Sequence, residues 1–286
     1  MSVVVIRTSS LGDVVLAGAV TAALPGVVFR TKPAWAPVAA RLSGVSRVEV
    51  VGRDPLGDHD RILDLQNNAR SWRETLGRRG VSRVQRYDAR RRLRVWLKVG
   101  APPPRVIDRY AAVAGVEPAP GPWLDLPGPR DATLLVPGAA WATKRWPVER
   151  WVGLGRSLPG PCIVLGGPDD ADRVRAVAQG IGPRAEALWE RGYERTFVAV
   201  GRGRVAVAGD TGLLHLCAAA GVPVVGLFGP TTAADGFWCH HGAVVETALP
   251  CRPCSRHGSA ACPIGDHACL AELPVDRVRA AVAGLS

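Results

Sequence analysis

The feature that most constrains this chain is an alternation, run twice, of short β-branched segments with Ala- and Leu-rich helical stretches. Val3 to Arg7 is a β-branched run, Thr8-Ser9-Ser10-Leu11-Gly12 reads as a tight loop, and Asp13 to Leu24 supplies a helix closed by Pro25-Gly26. Strands are expected at Val27–Thr31, Arg47–Val51 and Arg61–Leu65, with helical patterns between them. Residues 117 to 130, EPAPGPWLDLPGPR, are dense in Pro and Gly and read as a linker. A second series follows, with strands at Thr133–Val136, Cys162–Leu165, Val205–Ala208 and Val222–Phe228 and helices at Val148–Ser157, Asp170–Gln179 and Thr211–Ala220. Pro274 to Leu285 makes a last helix. Strand–helix alternation means parallel sheets built from βαβ units. The expected fold class is therefore α/β, with two domains at 1–128 and 129–286 and a last helix free to pack back on the first. Ligands of open parallel sheets sit at the carboxyl ends of the strands, so both domains would aim those ends at a shared cleft.

The 286 residues suit two domains at roughly 150 residues each. The longest near-apolar run, Val14 to Leu24, is shorter than the about 20 residues a membrane span needs. Arg7 and Asp13 stand where a signal peptide would be apolar, so a cytoplasmic location is expected. Thirty-six basic against 25 acidic residues give a net charge of +11, and 13 basic against three acidic residues lie between Arg70 and Arg109. Such a field either attracts polyanions (nucleic acid, anionic lipid or a phosphorylated glycolipid) or is a solvated face of an arginine-biased composition. Only Trp72, Tyr87 and Trp96 are aromatic in that stretch, which counts against nucleic acid.

Several loops carry polar groups where a strand meets a helix. In Ser9-Ser10-Leu11-Gly12-Asp13, Gly12 permits close backbone approach, and Asp13 is either a helix cap or a general base at the cleft. Asp210-Thr211-Gly212-Leu213-Leu214-His215 opens a helix whose first N–H groups suit phosphate, with Thr211 and His215 on one face. In Pro137 to Pro147, Lys144 is one of three lysines in the chain and offers a point charge for a diphosphate, or is an exposed loop lysine. Asp169 and Asp170 after a strand either hold a ribose diol or cap a helix. Gly201-Arg202-Gly203-Arg204-Val205-Ala206 has dinucleotide-type spacing but precedes its strand, so nicotinamide binding is rejected. Seven cysteines, an odd number without a secretion signal, speak for reduced thiols. Cys251, Cys254, Cys262 and Cys269 fall within 19 residues, a set open to zinc or an iron–sulfur cluster, although a loop of free thiols is the expectation and no metal is assigned.

Five segments in order, IRTSSLGDVVLAGAV, ILDLQNNARS, PGAAWATKRWP, AGDTGLLHLCAAAGVPVVGLFGPT and ACPIGDHACLAELPVDRV, resemble the bacterial heptosyltransferases of glycosyltransferase family 9 over nearly the whole length. The resemblance implies a GT-B fold of two Rossmann-like halves, the first taking the acceptor and the second a nucleotide sugar, ADP-heptose in type. It implies inverting transfer without a metal, on an anionic lipopolysaccharide core at the inner face of a membrane; a monomer is expected. Asp13 matches the family's base, and Ser9, Ser10 and Gly12 its loop near the donor phosphates. Lys144, with Thr143 beside it, matches the lysine on the donor diphosphate. Asp210, Thr211, Gly212 and His215 match the segment that meets the donor, and Asp170 the residue on the ribose. Gln66 and Arg70 fall in the acceptor-side motif, where Asn67 replaces the family's Gly, a residue that still tolerates positive φ. The alternatives are another GT-B nucleotide-sugar enzyme, such as an epimerase, and a basic polyanion-binding protein.

Overall fold

A computed structural model describes residues 2–190 and 192–285. Two parallel sheets dominate it. The first holds β1 (Val3–Ile6), β2 (Val27–Thr31), β3 (Val45–Val50), β4 (Arg61–Asp64) and β5 (Val81–Arg83) in the order β3-β2-β1-β4-β5. The second holds β6 (Ala132–Val136), β7 (Cys162–Gly166), β8 (Ala185–Trp189), β9 (Gly203–Gly209), β10 (Val224–Phe228) and β11 (Gly242–Glu246) in the order β11-β10-β9-β6-β7-β8. In each sheet the order reverses beside the first strand, which opens a crevice at the strands' carboxyl ends.

Side chains on successive strand residues alternate between faces, and in the central strands both faces are buried. Val3 and Val5 enter the large central core while Val4 and Ile6 pack on the outer side with Ile62. In β9, Ala206 and Ala208 join the central core, and Val205 and Val207 the outer one. That is why these strands read as unbroken apolar runs. The central core is shared by the two sheets, since Val5, Phe29 and Leu63 of the first belong to one cluster with Leu134, Ile163 and Phe228 of the second.

The seam is made by two helices, Leu11–Leu16 after β1 and Gly212–Ala219 after β9. A Cβ on Gly12 would stand 2.7 Å from His215 Cδ2, and one on Gly212 would stand 2.7 Å from Leu11 Cβ. Only residues without a side chain let the two helices meet this closely. The first helix also differs from expectation. It starts at Leu11 behind Ser10 and breaks at Ala17, and a short turn Gly18–Thr21 follows.

Residues 117–130 are not a loose linker. Trp123 is fully buried, stacks on Trp238 with ring centroids 4.2 Å apart, and donates its indole N–H to Ala119 O. The amides of Trp123 and Leu124 both bond to Ala219 O, so the segment is a packed strap along the seam. The last helix, Val275–Ala283, does not return to the first sheet. Val278 and Val282 join the outer core of the second sheet with Trp146, Trp151 and Leu154, the apolar surface that suits its stripe. No helix among the described residues is long and apolar enough to cross a membrane.

Candidate active site

The loops at the carboxyl ends of β1, β4, β6, β9 and β10 converge on two adjoining cavities. The first, of about 400 Å3, is lined by Arg7, Asp13, Gln66, Arg109, Tyr110 and His215 among others. The second, of about 750 Å3, is lined by Trp35, Gly138, Asp170, Glu190 and Tyr193 among others. Ser10, Gly12, Lys144, Asp210, Thr211, Gly212 and His257 line both, so the cavities meet where the two seam helices begin.

Asp13 sits in the third position of its helix and closes back on Ser10, accepting from Ser10 N at 3.2 Å and Ser10 Oγ at 2.9 Å. The same oxygen, Oδ2, is 2.6 Å from the Arg7 guanidinium. The other oxygen, Oδ1, accepts, among the described residues, only from Tyr110 Oη at 3.3 Å, and Asp13 lines the first cavity. Burial pushes the Asp13 carboxyl up, but the charge of Arg7 and the bonds from Arg7 and Ser10 outweigh it and hold the group below its ordinary range. Arg7 itself is fixed by donation to Leu65 O at 2.5 Å. Burial raises Tyr110, which stays protonated and able to donate.

Across the junction, Lys144 Nζ lies 2.6 Å from Asp210 Oδ2 and 3.2 Å from Asp210 O, and Thr231 Oγ1 donates to the same carboxylate at 2.9 Å. Burial works against the Asp210 charge, and Lys144 more than offsets it, so its pKa is lowered. An ammonium has three donors. Two are engaged with Asp210, which leaves one for a ligand. Thr211 caps the helix Gly212–Ala219, its Oγ1 accepting from Leu214 N at 3.4 Å. Thr211 and His215 both line the first cavity, as their spacing of four residues implies. Burial pushes the His215 imidazole below its usual value in spite of Asp210 and Asp13, so the ring is neutral near pH 7, and its Nδ1 is buried without a partner.

Other expected residues serve the framework. Gln66 lines the first cavity, but its carbonyl accepts from Thr8 N, Thr8 Oγ1 and Ser9 N at 3.0, 3.1 and 3.2 Å, so it holds the β1 loop, and Ser9 reaches neither cavity wall. Asn67 adopts φ 45°, the conformation expected where it replaces Gly. Arg70 is exposed and lines neither cavity. Thr143 is buried off both walls, and its hydroxyl is engaged with Ser259, accepting from Ser259 N and donating to Ser259 O at 2.9 Å each. It therefore fixes the Lys144 loop to the cysteine-bearing segment. Asp170 does line the second cavity, packed against Gly138 and accepting from Gly167 N at 3.2 Å. The seven cysteines are free thiols, and among the described residues no group of three or more His, Cys, Asp or Glu side chains is placed to hold a metal ion.

Four groups escaped the sequence reading. Arg7 and Tyr110 flank Asp13. Arg109 lines the first cavity with no carboxylate partner among the described residues, its Nε buried and unbonded. Glu190 lines the second with a buried, unbonded Oε1. Arg7 follows a strand directly and was legible as a strand-end cation. The other three come from distant segments, and nothing local marks them.

The model of glycosyltransferase family 9 (heptosyltransferase) matches residues 115–263. Lipopolysaccharide heptosyltransferase 1 of Pseudomonas aeruginosa is 28% identical over 314 aligned positions, covering 90% of this chain and 86% of that protein. A glycosyl transferase family 9 structure from Veillonella parvula superposes with a TM-score of 0.72 at 17% identity, covering 99% of this chain and 96% of its own. The structure of the E. coli ADP-heptose lps heptosyltransferase II gives 0.72 at 18% identity, covering 100% and 98%. These superpositions establish the expected GT-B architecture of two Rossmann-like halves. Since the family model covers more than half of the 286 residues, the chain belongs to glycosyltransferase family 9, the heptosyltransferase family, and is a glycosyltransferase.

Proposed function

We propose that this enzyme moves a heptose, or a closely related sugar, from an ADP-sugar to a lipopolysaccharide-core-type acceptor, with inversion and without a metal ion. Residues 1–128 present the acceptor and residues 129–286 the donor, and one chain suffices as a monomer because it lines both cavities. The observation that carries this reading is the junction, where the anion-binding start of the helix Gly212–Ala219 and Lys144 face Asp13 across Gly12. The nucleotide occupies the second cavity, with Asp170 at the ribose and Glu190 near the base. Its diphosphate lies at the junction, against the free N–H groups of the helix start and the remaining donor of Lys144.

The acceptor enters the first cavity. Its hydroxyl oxygen attacks the anomeric carbon as the bond from that carbon to the phosphate oxygen breaks, and ADP leaves. The hydroxyl proton passes to Asp13 Oδ1, the oxygen that the Ser10 and Arg7 bonds leave open. Since base and leaving group lie on opposite sides of the sugar, the anomeric configuration inverts. Negative charge growing on the diphosphate is met by fixed donors already in place, the role a divalent ion plays elsewhere. Neutral His215 adds no charge that would compete with Lys144. Arg109, with no carboxylate of its own, receives an anionic group of the acceptor. A lipid-borne acceptor puts the enzyme at the cytoplasmic face of a membrane.

A thermal-shift panel of ADP-, UDP- and GDP-sugars tests the donor. A ligand at about 100 times its Kd stabilises the fold by about 2.7 kcal/mol, so ADP-heptose should raise the melting temperature by several degrees and the others by less. A UDP- or GDP-sugar that stabilises more than ADP-heptose overturns the assignment.

A further inference from the structure

Among the described residues, ten large apolar side chains are exposed, and six of them (Trp72, Leu76, Leu93, Trp96, Leu97 and Val99) fall between positions 72 and 99, inside the most basic stretch of the chain. The helix Asp88–Leu97 concentrates this feature because its faces are reversed. Inward it turns Arg91, which donates to Asp235 O at 2.8 Å, and Arg94, which pairs with Asp235 at 3.1 Å. Outward it turns Leu93, Trp96 and Leu97, with Trp96 78% exposed. With Ala89 these occupy positions i, i+4, i+7 and i+8, one continuous stripe. Arg92 is exposed beside it and, among the described residues, pairs with no carboxylate, while Arg90 and Lys98, also exposed, donate to the backbone at Ala101 O and at Val95 O and Pro253 O. On the preceding helix in the chain, Ala69–Glu74, Arg70 and Arg73 flank Trp72 in sequence and are exposed, with no carboxylate partner among the described residues.

We propose that the outward face of the helix Asp88–Leu97 docks the enzyme on an anionic lipid bilayer. An apolar stripe holding a Trp and rimmed by arginines is the composition of a helix that lies in the headgroup plane. The indole takes the interfacial depth, and the arginine stems lie along apolar surface while their charges reach lipid phosphates. A positive rim is complementary to an anionic leaflet. The opposite side of the same helix supplies Asp88 and Arg91 to the first cavity, and Tyr87 precedes it there, so docking brings that cavity to the lipid surface. For its purpose, delivery of a lipid-borne acceptor, the inference rests on the function proposed above. The docking itself needs neither substrate.

The test is co-sedimentation of the full chain with phosphatidylcholine vesicles with and without phosphatidylglycerol. The wild type should sediment with the anionic vesicles only, and less at high salt. The double variant Trp96→Ser/Leu97→Ser should lose at least tenfold in partitioning, because each lost apolar group removes part of the insertion energy. Arg92→Glu should weaken binding in the same direction. Transfer to a soluble, delipidated acceptor should be unchanged in all of these variants, which separates failed docking from failed catalysis. Equal sedimentation of wild type and double variant overturns the proposal. So does a wild-type dimer in sedimentation velocity that the double variant abolishes while neither binds vesicles, and so does a short RNA that displaces the wild type from vesicles and binds through Trp96.

Discussion

Replacing Gly12 by Ala perturbs the junction at a single point and can be followed with numbers. The added Cβ would sit 2.7 Å from His215 Cδ2, where ordinary contact begins at 3.4 Å, so the ring or the helix must move by at least 0.7 Å (3.4 − 2.7). His215 is backed by Phe237, 5.8 Å away centroid to centroid, and Phe237 is itself packed edge-on against Phe228, so a ring displaced on that side meets packed aromatic surface. Overpacking of this kind costs about 1–3 kcal/mol, or roughly 2–10 °C in a protein of this size. The same shift separates Asp13 from the proposed diphosphate site, and a misplacement near 1 Å costs on the order of 100-fold in rate. Differential scanning fluorimetry and kcat with ADP-heptose read the two effects separately. Gly153→Ala is the control, since its Cβ would meet only Val275 Cγ2 at 3.5 Å inside the helix Val148–Ser157, and it should be neutral or stabilising by about 0.5–1 kcal/mol. A Gly12→Ala enzyme with wild-type melting temperature and turnover would refute the claim that this close approach sets the site.

Lys144→Gln should lower kcat by about 100-fold or more, as loss of one fixed donor to a developing oxyanion does, and weaken ADP binding measured by calorimetry. Arg109→Ala should raise the acceptor KM about tenfold and leave donor binding within twofold, in steady-state assays varying each substrate. Burial depresses the His215 pKa below the ordinary imidazole value of 6.5, so the unfolded chain takes up its proton first as the pH falls. Stability present above about 6.5 should therefore decline from that pH downward toward the folded value, and His215→Gln should flatten this part of a plot of Tm against pH. Asp13 and Asp210, depressed from 3.8, keep their contribution above that value and lose it only as the pH falls through their folded values.

The central strands were legible as unbroken apolar runs, because both of their faces are buried. Val27–Thr31 and Val148–Ser157 have the bounds the sequence reading expects. The outer strands β5, β8 and β11 were missed because they are short or half-exposed, and their runs, such as Val81-Ser82-Arg83 and Ala185-Glu186-Ala187-Leu188-Trp189, mix polar residues with apolar ones. Pro and Gly in 117–130 correctly marked an irregular segment, yet the buried Trp123 inside it makes a strap, and Gly18 is needed to let that ring in, since a Cβ there would lie 2.8 Å from Trp123 Cβ. For the site, residues at strand ends such as Asp13, Lys144 and Asp210 were visible, because topology alone sends strand ends to the cleft. Tyr110 and Arg109 were not, because they arrive on the helix Val106–Ala114, about 100 residues from Asp13, and carry no local mark. Thr143 shows the converse: it is a polar residue beside the proposed diphosphate ligand Lys144, and its own hydroxyl is already engaged elsewhere in the fold.

The most direct measurement is the turnover of Asp13→Asn with ADP-heptose and a core-type acceptor, read together with the anomeric configuration of the wild-type product by NMR. The account predicts a folded variant that still binds ADP, a kcat lowered by about 100- to 10,000-fold, and an inverted wild-type product. A variant that turns over at the wild-type rate, or a product that retains the donor's configuration, would contradict it.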